Sequence, residues 1–300
     1  MQSNAMNRTI GIIGSGDMGS GVAMALVRAG CRVVTDLSGR SAHSKALAKR
    51  AGSEDLGSLP AVLSAADLVL SIVPPAAAAD VAASVAAQCP AGVTFADCNA
   101  ISPENMRRLA GNFIDRKREV VDIGIVGMPP QREQHRGTRL FVSGPARARV
   151  LSLEVPGIEL IDLGETLGRA SAMKMVYAAL NKGVDALLTT ILLAAGQLGV
   201  RDVLVQELEN SQPQVLQRMR RRTPFLAATA ERYVPEMREI AATFDSVGAS
   251  PAFHEGAAWL YGLLAESSLA SETRDSLPAK RSLDEAMAAF DEALVTRLNA

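Results

Sequence analysis

Two features of this sequence combine residue types and spacings that can do chemistry. The first is Gly14-Ser15-Gly16-Asp17-Met18-Gly19, a Gly-x-Gly-x-x-Gly turn. The apolar run Ile10, Ile12, Ile13 leads into it, and an amphipathic segment carrying Val22, Met24, Leu26 and Val27 leads out to Gly30. A second apolar pair, Val33 and Val34, then ends at Asp36. Strand, tight turn, helix and strand in this order are the context a dinucleotide-binding fingerprint needs. Gly14 allows the sharp turn, Gly16 lets the backbone approach a pyrophosphate, and Gly19 lets the helix pack close to the strand. The pyrophosphate would sit on free N–H groups at the helix N-terminus, where the helix dipole also favours negative charge. The second feature is Lys174, at the start of a long and otherwise apolar helix. Burial there is expected to lower a lysine pKa toward neutrality, where the amine exchanges protons usefully.

The elements that must position these groups follow from hydrophobic periodicity. Strands are predicted at 9–13, 32–36, 67–73, 93–97, 119–125, 139–143 and 158–162, and helices at 18–29, 42–51, 77–88, 103–110 and 146–152. Ser102-Pro103-Glu104 is a helix start, with Ser102 as N-cap and proline in the first turn. Alternating strands and helices with short connections give an α/β fold, a Rossmann-type, doubly wound, mostly parallel sheet. After about residue 163 the strand pattern stops. Residues 168–198 read as one helix, its apolar stripe running through Ala170, Met173, Tyr177, Leu180, Val184, Leu187 and Ile191. Further helices are predicted at 200–220, 224–246, 250–268 and 281–298, broken by Pro213, Pro224 and Pro251. The expected division is a dinucleotide-binding domain at 6–163 and an all-helical substrate and dimerisation domain at 164–300.

Composition sets limits. Three hundred residues with 48 % hydrophobic content suit about two domains with sizeable cores. A net charge of −1 argues against a general nucleic-acid or anionic-membrane surface. The three cysteines, Cys31, Cys89 and Cys98, have no metal-ligand spacing and suit a reducing cytoplasm, so no metal is expected. No signal peptide and no membrane-spanning run is expected, and residues 1–5 read as a cloning scar before a start at Met6.

The layout, with Gly14-x-Gly16-x-Met18-Gly19, Val121-Asp122-Ile123-Gly124-Ile125-Val126-Gly127 and Gly168-Arg169-Ala170-Ser171-Ala172-Met173-Lys174, resembles the β-hydroxyacid dehydrogenase superfamily. That group includes 3-hydroxyisobutyrate and 6-phosphogluconate dehydrogenases. Arg232-Tyr233-Val234-Pro235-Glu236-Met237-Arg238-Glu239-Ile240 resembles a little-characterised, 6-phosphogluconate dehydrogenase-like branch with its own helical C-terminal domain. The resemblance implies that Lys174 is the general acid and base. It also implies substrate contacts from Asp122, Gly124, Ile125, Gly127 and Ser171, and a homodimer in which helical domains pack together. Two departures stand out. The asparagine usual four residues after the lysine is Ala178, and Asn181, on the same helical stripe as Lys174 and Asp185, extends the expected site without replacing it. In the substrate loop, a usual serine is Val126 and a usual glycine is Met128, which points to a substrate less acidic, larger or more apolar than 3-hydroxyisobutyrate.

For the cofactor, Asp36 would bond a ribose 2′-hydroxyl and favours NAD. Ser38, Arg40 and Ser41 make an anion site that favours NADP, and NADP is the reading adopted, with NAD as the alternative. Ser15, Asp17, Met18, Val73, Pro74 and Asn99 complete the expected cofactor contacts. His43 and His135 are expected at the surface, and His254 is expected to be structural. The run from Arg218 to Arg222 reads as anion recognition or a solvated helix end. Trp259 is expected to pack with Phe253 and Leu263 in a core or dimer surface. The expected function is hydride transfer at an alcohol or carbonyl carbon of a small, hydroxy-acid-like substrate. The alternative is a non-catalytic NADP-binding sensor or dimeric scaffold. Oxidative decarboxylation of a sugar acid needs more polar groups than this loop offers, and imine reductases of this fold generally carry another residue at the Lys174 position.

Overall fold

The computed structural model describes residues 8–130, 137–272 and 276–299. The expectations for residues 1–5 and for His135 fall outside the described residues. One compact unit ends at Met175 and a second begins at Val176.

The first unit is built as β1 (Thr9–Ile13), α1 (Asp17–Arg28), β2 (Arg32–Thr35), α2 (Ala42–Ala51), β3 (Glu54–Asp55), α3 (Leu59–Ala65), β4 (Leu68–Ser71), α4 (Pro75–Gln88), β5 (Thr94–Asp97), α5 (Pro103–Ile114), β6 (Val120–Val126), β7 (Thr138–Ser143), α6 (Ala148–Leu151) and β8 (Ile158–Asp162). It closes with the start of α7 (Arg169–Gln197). The sheet order is β3-β2-β1-β4-β5-β6-β7-β8, parallel throughout except between β6 and β7. Its order reverses between β1 and β4, so a crevice opens beyond the carboxyl ends of these strands.

Alternation along the strands fills a core on each face. Ile10, Ile12, Leu70 and Ile123 pack with Val22 and Leu26 of α1. Val69, Phe95 and Val120 pack with Met106 and Phe113 of α5, where the Phe95 and Phe113 rings stack 4.5 Å apart. The predicted strands and helices recur, with two additions. β3 has two exposed residues and no apolar alternation, and α3 is a seven-residue helix capped by Ser58 with proline in its first turn. Neither leaves a periodic signal of useful length.

The second unit contains α8 (Arg201–Ser211), α9 (Pro213–Arg222), α10 (Ala227–Asp245), α11 (Ala252–Leu264) and α12 (Leu283–Leu298). The helical segment at 200–220 is split in two at Gln212-Pro213, where Pro213 was expected to act as a breaker. Its core includes Leu216, Met219, Met237, Ile240, Leu260, Tyr261, Met287 and Phe290.

The predicted stripe on α7 is largely its exposed side: Tyr177, Leu180, Leu187 and Ile191 are exposed, whereas Met175, Ala178, Leu192 and Leu193 are buried. The helix is apolar nearly all round, so periodicity found a real stripe but could not rank it against its neighbour. By length and composition α7 could also cross a membrane, against the expectation that no segment could. Its buried Asp185 and buried leucines mark it as a core helix of its unit. Trp259 is half exposed, with the Arg297 guanidinium over its ring, and Phe253 is exposed too, while Leu263 is buried.

Candidate active site

The glycine turn joins β1 to α1 at the reversal of strand order. Gly14 has φ +104°, and a Cβ there would fall 2.2 Å from the Ile72 carbonyl oxygen. Gly19 lies so close to the turn that a Cβ would sit 1.9 Å from the Gly14 oxygen. A Cβ on Gly16 would meet nothing within 4 Å. Gly16 is also the N-cap of α1 and supplies no side-chain cap. The first N–H groups of the helix are thus open to an anion, beside empty space that only glycine leaves. Ser15 and Met18 play inward roles. The Ser15 hydroxyl is buried 3.4 Å from that of Thr35, and Met18 packs on the core.

At the end of β2, the Asp36 carboxylate accepts from the Ser38 N–H at 2.9 Å. A cavity of about 210 Å³ lies beside it, lined by Ile13, Asp36, Arg40, Leu59, Val62, Asp80, Val81 and Ser84. Apolar walls with an acid and an arginine at the rim suit an adenosine group. Ser38 and Ser41 do not line it. The Ser38 hydroxyl donates to the Gly57 carbonyl at 2.7 Å, and Ser41 caps α2. Leu59 and Val62 were missed because α3 was missed.

Asn99 is held within the fold. Its Oδ1 accepts from the Val73 N–H at 2.7 Å, and its Nδ2 donates to Asp97 at 2.6 Å and to the Ser71 hydroxyl at 3.2 Å. It is buried and ties the loop after β4 to the end of β5, with its amide hydrogens already engaged. Val73 is held by that bond, and Pro74 is the N-cap residue of α4. Burial pushes the Asp97 carboxyl up to about 7, with the neighbouring Asp122 charge adding to the effect and the Asn99 donors opposing it.

Asp122 anchors the start of α7. It is fully buried on β6. Its Oδ2 accepts from the N–H groups of Gly168, Ala170 and Ser171 and from the Ser143 hydroxyl, and its Oδ1 accepts from the Ser171 hydroxyl at 2.7 Å. A carboxylate brought from a distant strand caps α7 and compensates its orphan donors. Ser171 is used up in the same network. Burial raises the Asp122 pKa, and the donors converging on it pull the other way.

This anchor sets Lys174. One turn into α7, its ammonium donates to the Ile125 carbonyl at 2.6 Å. Gly124 makes the approach possible, because a Cβ there would lie 2.5 Å from the Ala170 oxygen. Val126 is simply buried, whereas Met128 is exposed. Gly127 turns the chain with φ +118°, and Pro129 and Pro130 then pack against Gly21 of α1. Asn181 belongs to the second unit, and its amide donates to the Tyr177 carbonyl within α7.

A doubly wound sheet, an open helix N-terminus behind a glycine turn and an adenosine-sized cavity at the end of β2 define a nicotinamide-dinucleotide-binding protein. Residues 9–153 match the NAD binding domain of 6-phosphogluconate dehydrogenase, and residues 195–264 match a domain of unknown function (DUF1932). The N-terminal part of the chain is thus similar to a nicotinamide-dinucleotide-binding domain of the 6-phosphogluconate dehydrogenase type. An uncharacterised 28.5 kDa protein of Methanothermus fervidus is 28 % identical over 203 residues, covering 68 % of this chain and 77 % of that protein. The structure of a conserved hypothetical protein of Sinorhizobium meliloti 1021 is similar at 26 % identity and TM-score 0.67, covering 97 % of this chain and 98 % of that one. The fold is shared with the 3-hydroxyisobutyrate dehydrogenase of Mycobacterium tuberculosis, determined with L-serine, at 18 % identity and TM-score 0.64 over 94 % of this chain and 99 % of that one.

Proposed function

We propose that this chain is an NADP-dependent oxidoreductase that transfers a hydride between the nicotinamide and the alcohol or carbonyl carbon of a hydroxy-acid-like substrate, with Lys174 as general acid and base. The observation that carries this reading is the Lys174 ammonium held 2.6 Å from the Ile125 carbonyl, on a helix anchored by Asp122. When bound, the nicotinamide supplies the hydride in reduction and takes it up in oxidation. In reduction, protonated Lys174 gives its proton to the developing alkoxide oxygen. In oxidation, neutral Lys174 accepts the hydroxyl proton. Ile125 orients the amine, and Gly124 lets α7 bring it alongside β6.

The first N–H groups of α1, behind Gly14, Ser15 and Gly16, would hold the pyrophosphate, and the cavity at Asp36 and Arg40 would hold the adenosine end. Arg40 on that rim supports NADP, because a guanidinium pairs with a 2′-phosphate; Asp36 supports NAD as the alternative. The exposed apolar residues of α7 in the helical unit support a homodimer through that unit. A non-catalytic sensor or scaffold is the rival reading. It draws support from Asp122, Ser171 and Asn99, whose polar groups are spent on the fold.

The test is NADPH oxidation and NADP reduction against a panel of hydroxy acids, aldehydes and keto acids, with Lys174→Met alongside. Turnover that vanishes in the variant while NADPH still binds supports the proposal. Equal turnover in both proteins refutes the lysine role. Tight NADPH binding with no turnover by the native chain favours the sensor.

A further inference from the structure

The helical unit contains a cluster of charges that the proposed reaction does not use. Asp185 of α7 is buried, its side chain only 2 % exposed, and two arginines of α9 close on it. Arg218 Nε donates to Asp185 Oδ1 at 2.8 Å, and its Nη2 donates to the Asn181 carbonyl at 3.0 Å. Arg222 Nε donates to Asp185 Oδ2 at 3.0 Å. Beside them, Lys182 pairs with the buried Glu236, and both Lys182 and Arg232 lie over the Tyr233 ring, at 4.8 and 5.2 Å.

Among the described residues, Arg218, Arg222, Lys182 and Arg232 gather on Asp185 and Glu236. Each Asp185 oxygen has its own arginine donor. Arg222 uses only Nε on Asp185, and its Nη1 and Nη2 have no hydrogen-bond partner among the described residues. Its side chain is 45 % exposed, so those donors reach solvent. The Tyr233 ring, flanked by Lys182 and Arg232, packs edge-on against Tyr261 at 5.2 Å. The Arg222 guanidinium is held by its inner edge while its outer edge is presented. That is the arrangement for planar, two-pronged recognition of an oxyanion.

We propose that Arg222, held in place by Asp185 and assisted by Arg218, Lys182, Arg232 and the Tyr233 hydroxyl, forms an oxyanion-binding site in the helical unit for a carboxylate or phosphate group. The group belongs to a small effector, and its binding is measured without turnover, so failure of this site and failure of the proposed reaction are distinguishable.

The experiment is calorimetric titration of inorganic phosphate and of acetate into the full chain, with Arg222→Gln, Tyr233→Phe and the exposed-site control Arg221→Gln. The native chain and Arg221→Gln are expected to bind at least one probe, with about tenfold or greater weakening in Arg222→Gln. Arg218 still pairs with Asp185 in that variant, so it is expected to fold; should it fail to fold, a several-fold weakening in Tyr233→Phe is the deciding result. Absence of binding to the native chain, or equal affinity in the native chain and both site variants, overturns the proposal. With an assay in hand, non-competitive modulation by phosphate that disappears in Arg222→Gln supports the effector, and phosphate inhibition unchanged in Arg222→Gln counts against it.

Discussion

Lys174 Nζ rests on the Ile125 carbonyl oxygen because Gly124, one residue earlier, lets α7 come within a side chain's width of β6. A Cβ at Gly124 would lie 2.5 Å from the Ala170 oxygen and 3.1 Å from the Lys174 Cβ. Gly124→Ala is expected to push the start of α7 away from the strand at a cost of about 1–3 kcal/mol. Turnover should fall further than NADPH affinity. Urea unfolding and steady-state kinetics check both, and an unchanged midpoint with full activity would show the contact to be unimportant.

Gly16 and Gly19 separate binding from folding. Gly16→Ala adds a methyl into space where a Cβ meets nothing within 4 Å. Its melting temperature should stay close to that of the native chain while dinucleotide affinity drops about tenfold or more. Gly19→Ala forces a Cβ to 1.9 Å from the Gly14 oxygen and should destabilise the domain outright. Paired thermal melts and NADPH fluorescence titrations distinguish the two.

Removing the helix anchor should be costly. Asp122→Ala leaves the N–H groups of Gly168 and Ser171 without their buried acceptor, while the Ala170 N–H keeps the Ser143 hydroxyl. A loss on the order of 3 kcal/mol or more is expected, against about 1 kcal/mol for Ser171→Ala. Denaturant midpoints for the two variants test that ranking.

Stability should depend on pH through Asp97. Its folded pKa, raised to about 7 by burial, exceeds that of an ordinary unfolded aspartate near 4. Between these values the folded state holds the proton more tightly. The stabilisation is complete below about pH 4 and is lost as pH rises through about 7. Urea midpoints at pH 5 and pH 8 should therefore differ less in Asp97→Asn than in the native chain. An identical pH dependence in both would rule Asp97 out as the source.

The exposed face of α7 predicts association. Leu180 is 61 % exposed in the single chain. Leu180→Glu should shift a dimer toward monomer in light scattering. A monomeric native protein would remove the basis for the homodimer.

Much of this was legible before any coordinates. The alternation of apolar runs located most of the doubly wound sheet, because a parallel strand buried on both faces must be apolar along its length. The spacing of Gly14, Gly16 and Gly19 marked the turn, because only glycine satisfies three separate backbone constraints in six residues. Ser102 and Ser41 were readable as caps for a similarly local reason. Local rules reached their limit at β3 and α3, which are too short to show a period. With α3 went Leu59 and Val62 of the cavity.

Side-chain allegiance was a different kind of question. Asp122, Ser171 and Asn99 have the residue types of ligand contacts, and the sequence justified naming them as such. Their partners lie 49 residues away for Asp122 and Ser171, and 26 for Asn99 and Val73, and those partners consume their hydrogen-bonding capacity. Arg218 and Arg222 likewise resemble a solvated helix end until α9 brings them onto Asp185, 33 and 37 residues earlier. By itself the sequence determined the order of elements, the cofactor turn and the candidacy of Lys174, because each depends on neighbours within one turn or one strand. Only the tertiary structure decided which polar groups are spent on the fold and which face of α7 is buried. Hydrogen-bond satisfaction and burial depend on whatever segment the chain brings alongside, and local spacing carries no record of that.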